Sequence, residues 1–162
     1  SSDSLPSTPP EFCATTTKNI VQVLHDIYAE RSSTAAHEPL IVVISTTRVS
    51  DVCKDVPFGF QTMYHIALVD PHKDKKEMEK MIIENTTRVN AVFRGAIARP
   101  GLSTGDQNVR GCKGWQKLKV RQENKPVIGY TIHRADVGEW IFEETIRTDG
   151  QRWFGQRVTL TK

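Results

Sequence analysis

From Gly114 to Lys162 the chain alternates β-rich runs with clusters of turn-forming residues, and this rhythm constrains the fold more than any other feature. Four strands are predicted, over residues 115–122, 127–134, 139–148 and 152–161. Glu123-Asn124-Lys125-Pro126, Ala135-Asp136-Val137-Gly138 and Asp149-Gly150-Gln151 separate them as turns. Period-two alternation turns Leu118 and Val120, then Ile128, Tyr130 and Ile132, then Trp140, Phe142 and Ile146, then Phe154, Val158 and Leu160 inward. A three-residue loop at 149–151, with Gly150 at positive φ, would set Ile146 against Phe154 and Phe142 against Val158. With helices over 18–31 and 72–85 packed on one face, the pattern predicts an α+β fold: a mainly antiparallel sheet ending in a four-stranded meander.

The outward face of that meander would carry Trp115, Lys117, Lys119 and Arg121 in one row, with Glu143 facing Arg157 and Arg147 facing Trp153 nearby. A glycine-rich basic loop over 100–114 leads into this row, beginning after Arg99 and holding Arg110 and Lys113. Lys and Arg neutralise phosphates, and an exposed Trp offers a stacking platform for a base. Arg99, Arg110, Lys113, Trp115, Lys117, Lys119, Arg121 and Trp153 are therefore the predicted contacts of RNA or single-stranded nucleic acid. The alternative is a protein–protein interaction module of a larger assembly, anchored on the same Trp and Arg side chains.

Charge distribution supports an acidic partner. Net charge is +3, but residues 1–87 sum to −4 and residues 88–162 to +7. The length suits one domain, expected over 14–162 behind a disordered Ser/Pro/Thr-rich tail at 1–13. Three scattered cysteines argue against a disulfide framework and for a reducing, intracellular setting. No apolar run approaches the length needed to span a membrane, so no membrane partner is expected.

The amino-terminal half reads as two helices and a strand. Ile20, Val21, Val23, Leu24, Ile27 and Tyr28 are expected to make one broad buried stripe on the first helix. On the second, Met78, Met81 and Ile82 face inward, while Lys73, Lys75, Lys76, Glu77 and Glu79 form the solvated side. Residues 39–47 are a β-branched run of the kind found in a central strand covered on both faces. A further strand is predicted over 64–69 and another over 87–98.

The 39–47 run, with its hydroxyl-rich end, resembles the second-to-last core strand of AAA-type ATPases over about 40 residues, where polar residues at the strand end sense the γ-phosphate. The chain contains no G-x-x-x-x-G-K-[ST] and no apolar strand ending in Asp-Glu, so that family is not carried over. The spacing of glycines in the 100–114 loop matches no nucleotide-binding fingerprint.

Catalytic chemistry finds no firm footing in the sequence. Cys53 and Cys112 have no neighbouring base, and His65, Asp70 and His72 do not converge as metal ligands on a strand followed by a turn. A His133–Glu139 pair beside Trp115 would lie on an open sheet face, where a structural ion pair is the simpler reading. The expectation is a non-catalytic binding domain with no cofactor and no metal.

Overall fold

The computed structural model describes residues 11–29, 38–47, 49, 69–106, 109, 111–149 and 151–162. In chain order these form α1 (Phe12–Ala29), β1 (Leu40–Ile44), α2 (Val69–Thr86), β2 (Arg94–Pro100) and β3 (Leu102–Thr104). A 3-10 turn (Trp115–Lys117), β4 (Lys119–Gln122), β5 (Thr131–His133) and α3 (Arg134–Ile141) follow. A π-helical turn (Phe142–Ile146), a second 3-10 turn (Gln151–Trp153) and β6 (Arg157–Thr161) complete the chain.

The sheet is mostly parallel. Its order is β1-β2-β6-β4; β1 pairs with β2 and β2 with β6 in parallel, and only β4 runs antiparallel, against β6. β3 and β5 make a separate parallel pair. The predicted antiparallel α+β architecture is thus wrong, and so is its carboxy-terminal meander. β6 spends one edge on β2, a strand nearly sixty residues earlier in the chain, rather than on its sequence neighbours.

The third meander strand is where the prediction breaks. Residues 139–148 lie in α3 and the π-helical turn that continues it. Val137, Trp140 and Thr145 are buried and Ile141 partly so, a helical spacing, whereas Phe142 and Ile146, which strand alternation turned inward, are exposed. Asp136, taken as a turn residue, sits in the first turn of this helix, and His133 Nδ1 caps it by accepting from the Ala135 N–H. Gly138, the other presumed turn residue, is simply a helical glycine with open space where a Cβ would go. In the second predicted strand only Thr131–His133 pairs, and Ile128 and Tyr130 are exposed. Gly150 of the predicted loop and most of the 64–69 strand lie outside the described residues; Val69 opens α2.

Helices cover both faces of the sheet. In β2, Ile97 joins Val21, Ile82 and Phe93 in a core beneath α1 and α2, with Leu24, Ile41 and Val43 packed against it. Ala96 and Ala98 point the other way, into a core made with Ile132, Val137, Trp140, Trp153, Val158 and Leu160. Strict alternation along one strand thereby serves two cores. Gly95 allows α2 to approach: a Cβ there would meet Thr86 Oγ1 at 2.4 Å and Ile82 Cγ2 at 2.7 Å. The helices themselves are tied in parallel. Asp74 of α2 accepts the N–H groups of Cys13 and Ala14 at 2.8 and 2.7 Å, capping α1 from outside, and His25 meets Asn85 at 3.0 Å near the other end.

Four charged side chains hold α2 on the sheet. Arg99 donates to both carboxylate oxygens of Glu79, with Nε at 2.9 Å, and its Nη1 reaches Glu123 at 2.8 Å. Arg157 approaches the same two glutamates at 3.3 Å each. Glu79 and Arg99 are almost completely buried. Burial pulls the Arg99 guanidinium down, but its bonds to Glu79 and then Glu123 more than offset this, and its pKa stands above the ordinary value. Removing one partner strands the other: Glu79→Ala is expected to cost about 3–5 kcal/mol, against less than about 1 kcal/mol for Arg147→Ala, whose pair with Glu143 is a surface contact. Urea unfolding of the two variants checks this, and equal losses would remove the network from the account of stability.

Candidate functional site

β1 and β2 are adjacent and parallel, so their carboxyl ends open on the same side of the sheet. A cavity of about 360 Å³ lies there. Ile44, Ser45 and Thr46 line it from the end of β1, Pro100, Gly101, Leu102 and Ser103 from the end of β2, His72 and Lys75 from the first turns of α2, and Arg134 from the start of α3. In open α/β sheets the crevice outside the strands' carboxyl ends is where ligands bind, because loops there are free to vary while the strands hold them rigid.

Four backbone N–H groups at this end are engaged. Ser45 N–H donates to Ala98 O at 2.8 Å, Thr47 N–H to Pro100 O at 3.3 Å, Gly101 N–H to Leu160 O at 2.9 Å and Leu102 N–H to Tyr130 O at 3.0 Å. The Ser45 side chain is not. Its residue is 3 % exposed, yet Oγ has no hydrogen-bond partner among the described residues. A buried hydroxyl without a partner costs stability, and folded proteins seldom keep one without a use for it. Among the described residues Lys75, half-buried, has no ion-pair partner and the lining contains no carboxylate. Arg134 spends one N–H on the Gly105 carbonyl. Among the described residues the lining therefore carries positive charge, and Ser45 of that lining holds a buried hydroxyl without a partner.

None of the predicted contact residues that the structure describes lines this cavity. Arg99 is in β2 with its side chain buried in the ion network, not on a basic loop. Trp153 is 4 % exposed, its ring centroid 5.6 Å from that of Trp140 and its Nε1 donating to Glu144 at 3.1 Å. Arg152, not Arg147, stacks on Trp153 at 4.5 Å, and Arg157 pairs with Glu123 rather than Glu143. Trp115 packs against the core from the 3-10 turn, and its N–H donates to Glu139 at 3.0 Å. Lys113, Lys117, Lys119 and Arg121 are exposed, with the Lys113 and Gly114 N–H groups held by Asp136 at 2.9 and 3.0 Å. Arg110 lies outside the described residues. The single aromatic-and-basic platform does not exist, because half of its aromatic surface and its first arginine are core. The sequence feature that marks this cavity is an apolar β-branched strand ending in Ser45-Thr46-Thr47.

No family model matches the chain. Two curated relatives do. "Oxidase pynE" of Aspergillus niger is 39% identical over 162 residues, covering 94% of this chain and 57% of that protein. "Reductase pytE" of Aspergillus terreus is 34% identical over 157 residues, covering 94% and 58%. The chain thus spans under three-fifths of the length of these relatives. Among solved structures, a short-chain dehydrogenase/reductase from Veillonella parvula in complex with NADP superposes with a TM-score of 0.66 at 11% identity, over 95% of this chain and 60% of that one. A Rossmann-fold NAD(P)-binding family protein from Shigella flexneri gives 0.55 at 11% identity, over 96% and 57%.

The fold is Rossmann-like. It is the mostly parallel architecture of short-chain dehydrogenases/reductases, in place of the predicted antiparallel sheet. The predicted RNA or single-stranded nucleic-acid partner, and the interaction-module alternative, are overturned with it: the relatives are named as redox proteins and the structural neighbour holds NADP. Among the described residues no helix is long and apolar enough to cross a membrane.

If the Ser45 hydroxyl is kept for a ligand, it contributes nothing to folding. Ser45→Ala is expected to leave the urea midpoint unchanged or raise stability by up to about 1 kcal/mol, and a loss above that would show that Oγ has a structural partner after all.

Proposed function

We propose that the protein is an oxidoreductase using a nicotinamide dinucleotide, and that this chain carries the part of the site at the carboxyl ends of β1 and β2. The observation that supports this most is Ser45: a buried hydroxyl with no partner among the described residues, on a residue that lines a cationic cavity at the place where this fold takes its ligands. The relatives named as an oxidase and a reductase, and the NADP-bound neighbour, point the same way.

The residues present suit such a cofactor and a carbonyl or hydroxyl substrate. When bound, the dinucleotide supplies or accepts a hydride. Everything else falls to the chain. Ser45 Oγ, having no other partner, donates a hydrogen bond to the oxygen of the reacting carbon, and that bond strengthens as negative charge develops there. Lys75, reaching the same cavity from α2 without a carboxylate to neutralise it, stabilises that charge electrostatically. In the opposite direction the same two groups hold an alcohol oxygen as its proton leaves. Pro100 and Leu102 form an apolar side against which water is displaced.

The test is NADPH consumption by the protein with an aromatic aldehyde such as 4-nitrobenzaldehyde, together with calorimetric NADP+ binding. Ser45→Ala and Lys75→Met are each expected to lower kcat by roughly 100-fold, while Lys119→Met, on the exposed edge of β4, leaves it unchanged. Absence of dinucleotide binding, or full activity in both cavity variants, would refute the reading.

A further inference from the structure

We propose that the substrate of this site is an organic acid, and that Arg134 recognises its carboxylate; the assignment rests on the oxidoreductase reading above and goes beyond it in naming the substrate's chemistry. Two features of the cavity are unbalanced. Among the described residues its lining brings the cationic Lys75 and Arg134 together with no acidic residue. It also keeps two large apolar side chains half in solvent at its rim, Ile44 at 56% and Leu102 at 49% exposed. Charge without counter-charge and apolar surface without cover, side by side, fit a molecule with an anionic end and an apolar body.

Among the described residues, three carboxylates on the elements that carry Lys75 and Arg134 are committed elsewhere. Asp74, next to Lys75 in sequence, accepts the amino-terminal N–H groups of α1. Glu79, one turn below Lys75 on α2, is bound by Arg99 and Arg157. Asp136, in the first turn of α3 with Arg134, accepts the Lys113 and Gly114 N–H groups. Among the described residues nothing anionic pairs with either cation, so an arriving anion meets charge already stripped of competition.

Arg134 is the better placed of the two to read a carboxylate. It follows β5, whose Ile132 and His133 run beside Ser103 and Thr104 of β3, so the strand pair fixes where the side chain starts. Its bond to the Gly105 carbonyl holds the guanidinium and leaves further N–H donors for a bidentate contact. Gly105 cannot readily be another residue: its φ is +77°, and a Cβ would fall on the His133 ring, so the carbonyl that holds Arg134 is itself fixed. Ser45 remains for the reacting oxygen, which places the acid group and the reacting carbon on one short molecule.

A phosphate of the dinucleotide would satisfy the same cations, so the experiment separates the two sources. The protein is titrated calorimetrically with 2-naphthoate, 2-naphthamide and inorganic pyrophosphate, with Arg134→Gln and Arg134→Lys in parallel and NADP+ binding measured on every sample. Expected is binding of naphthoate at least tenfold tighter than of naphthamide, and a loss in Arg134→Gln of roughly tenfold to hundredfold for the acid alone, with Arg134→Lys recovering part of it. Equal binding of acid and amide, or an acid affinity untouched by Arg134→Gln, overturns the proposal. So does pyrophosphate that displaces naphthoate and depends on Arg134 more strongly, which would give the cations to the cofactor. NADP+ binding that is absent while naphthoate still discriminates refutes the oxidoreductase reading and leaves the anion site standing. Urea midpoints for both variants confirm that the comparison is made between folded proteins.

Discussion

The buried contact between Glu79 and Arg99 is the constraint on which the rest of this structure depends. It joins a helix to a strand through two charges that water no longer reaches, and Glu123 and Arg157 close the group from the neighbouring turn and strand. Such a cluster is not a cheap source of stability, since desolvation consumes most of the Coulomb energy. What it provides is register. A helix sliding on an apolar sheet loses little at each step, but one that must present a carboxylate to a buried guanidinium has one permitted position.

That position is functionally placed. Along α2 the residues facing the sheet recur at alternating steps of three and four: His72 and Lys75 line the cavity, Glu79 enters the ion network, Ile82 enters the core, and Thr86 closes on Gly95. Arg99 is the last residue before Pro100 and Gly101, which line the same cavity, and Ser45 follows β1 at the level of Arg99. The network thus lies directly inside the site. It sets the height at which Lys75 meets the strand ends, so the geometry of the cavity is inherited from an interaction one helical turn deeper.

The other side of the cavity is built by a different unit. β3 and β5 pair in parallel away from the main sheet, and α3 springs from β5 with His133 as its cap. This unit carries Leu102, Ser103 and Arg134. Trp140 and Trp153 anchor it to the sheet from below. A site assembled from two units, one holding the strand ends and one holding the rim, can change its specificity through the second while the first keeps its chemistry.

Several features were determined by local sequence alone. The apolar stripe of α2, the β-branched run of β1 and the apolar alternation of β6 announce themselves at close range, because each needs only its own period to be recognised. Of the expected buried stripe of α1, by contrast, only Val21 and Leu24 enter the core, and Ile20, Val23 and Ile27 are exposed. Residues 134–146 could not be settled that way: Trp140, Phe142 and Ile146 satisfy a strand's period while Val137, Trp140, Ile141 and Thr145 satisfy a helix's, and the core beneath chose the second set. Hydropathy likewise sent Arg99, Glu79 and Lys75 to solvent, since no single segment shows that a charge will meet its opposite twenty residues away. Parallel pairing of β2 with β6, and with it the cavity where Ser45, Lys75 and Arg134 converge, was decided only by tertiary structure. Those contacts join residues far apart in the chain, and no local periodicity carries information about a partner that distant.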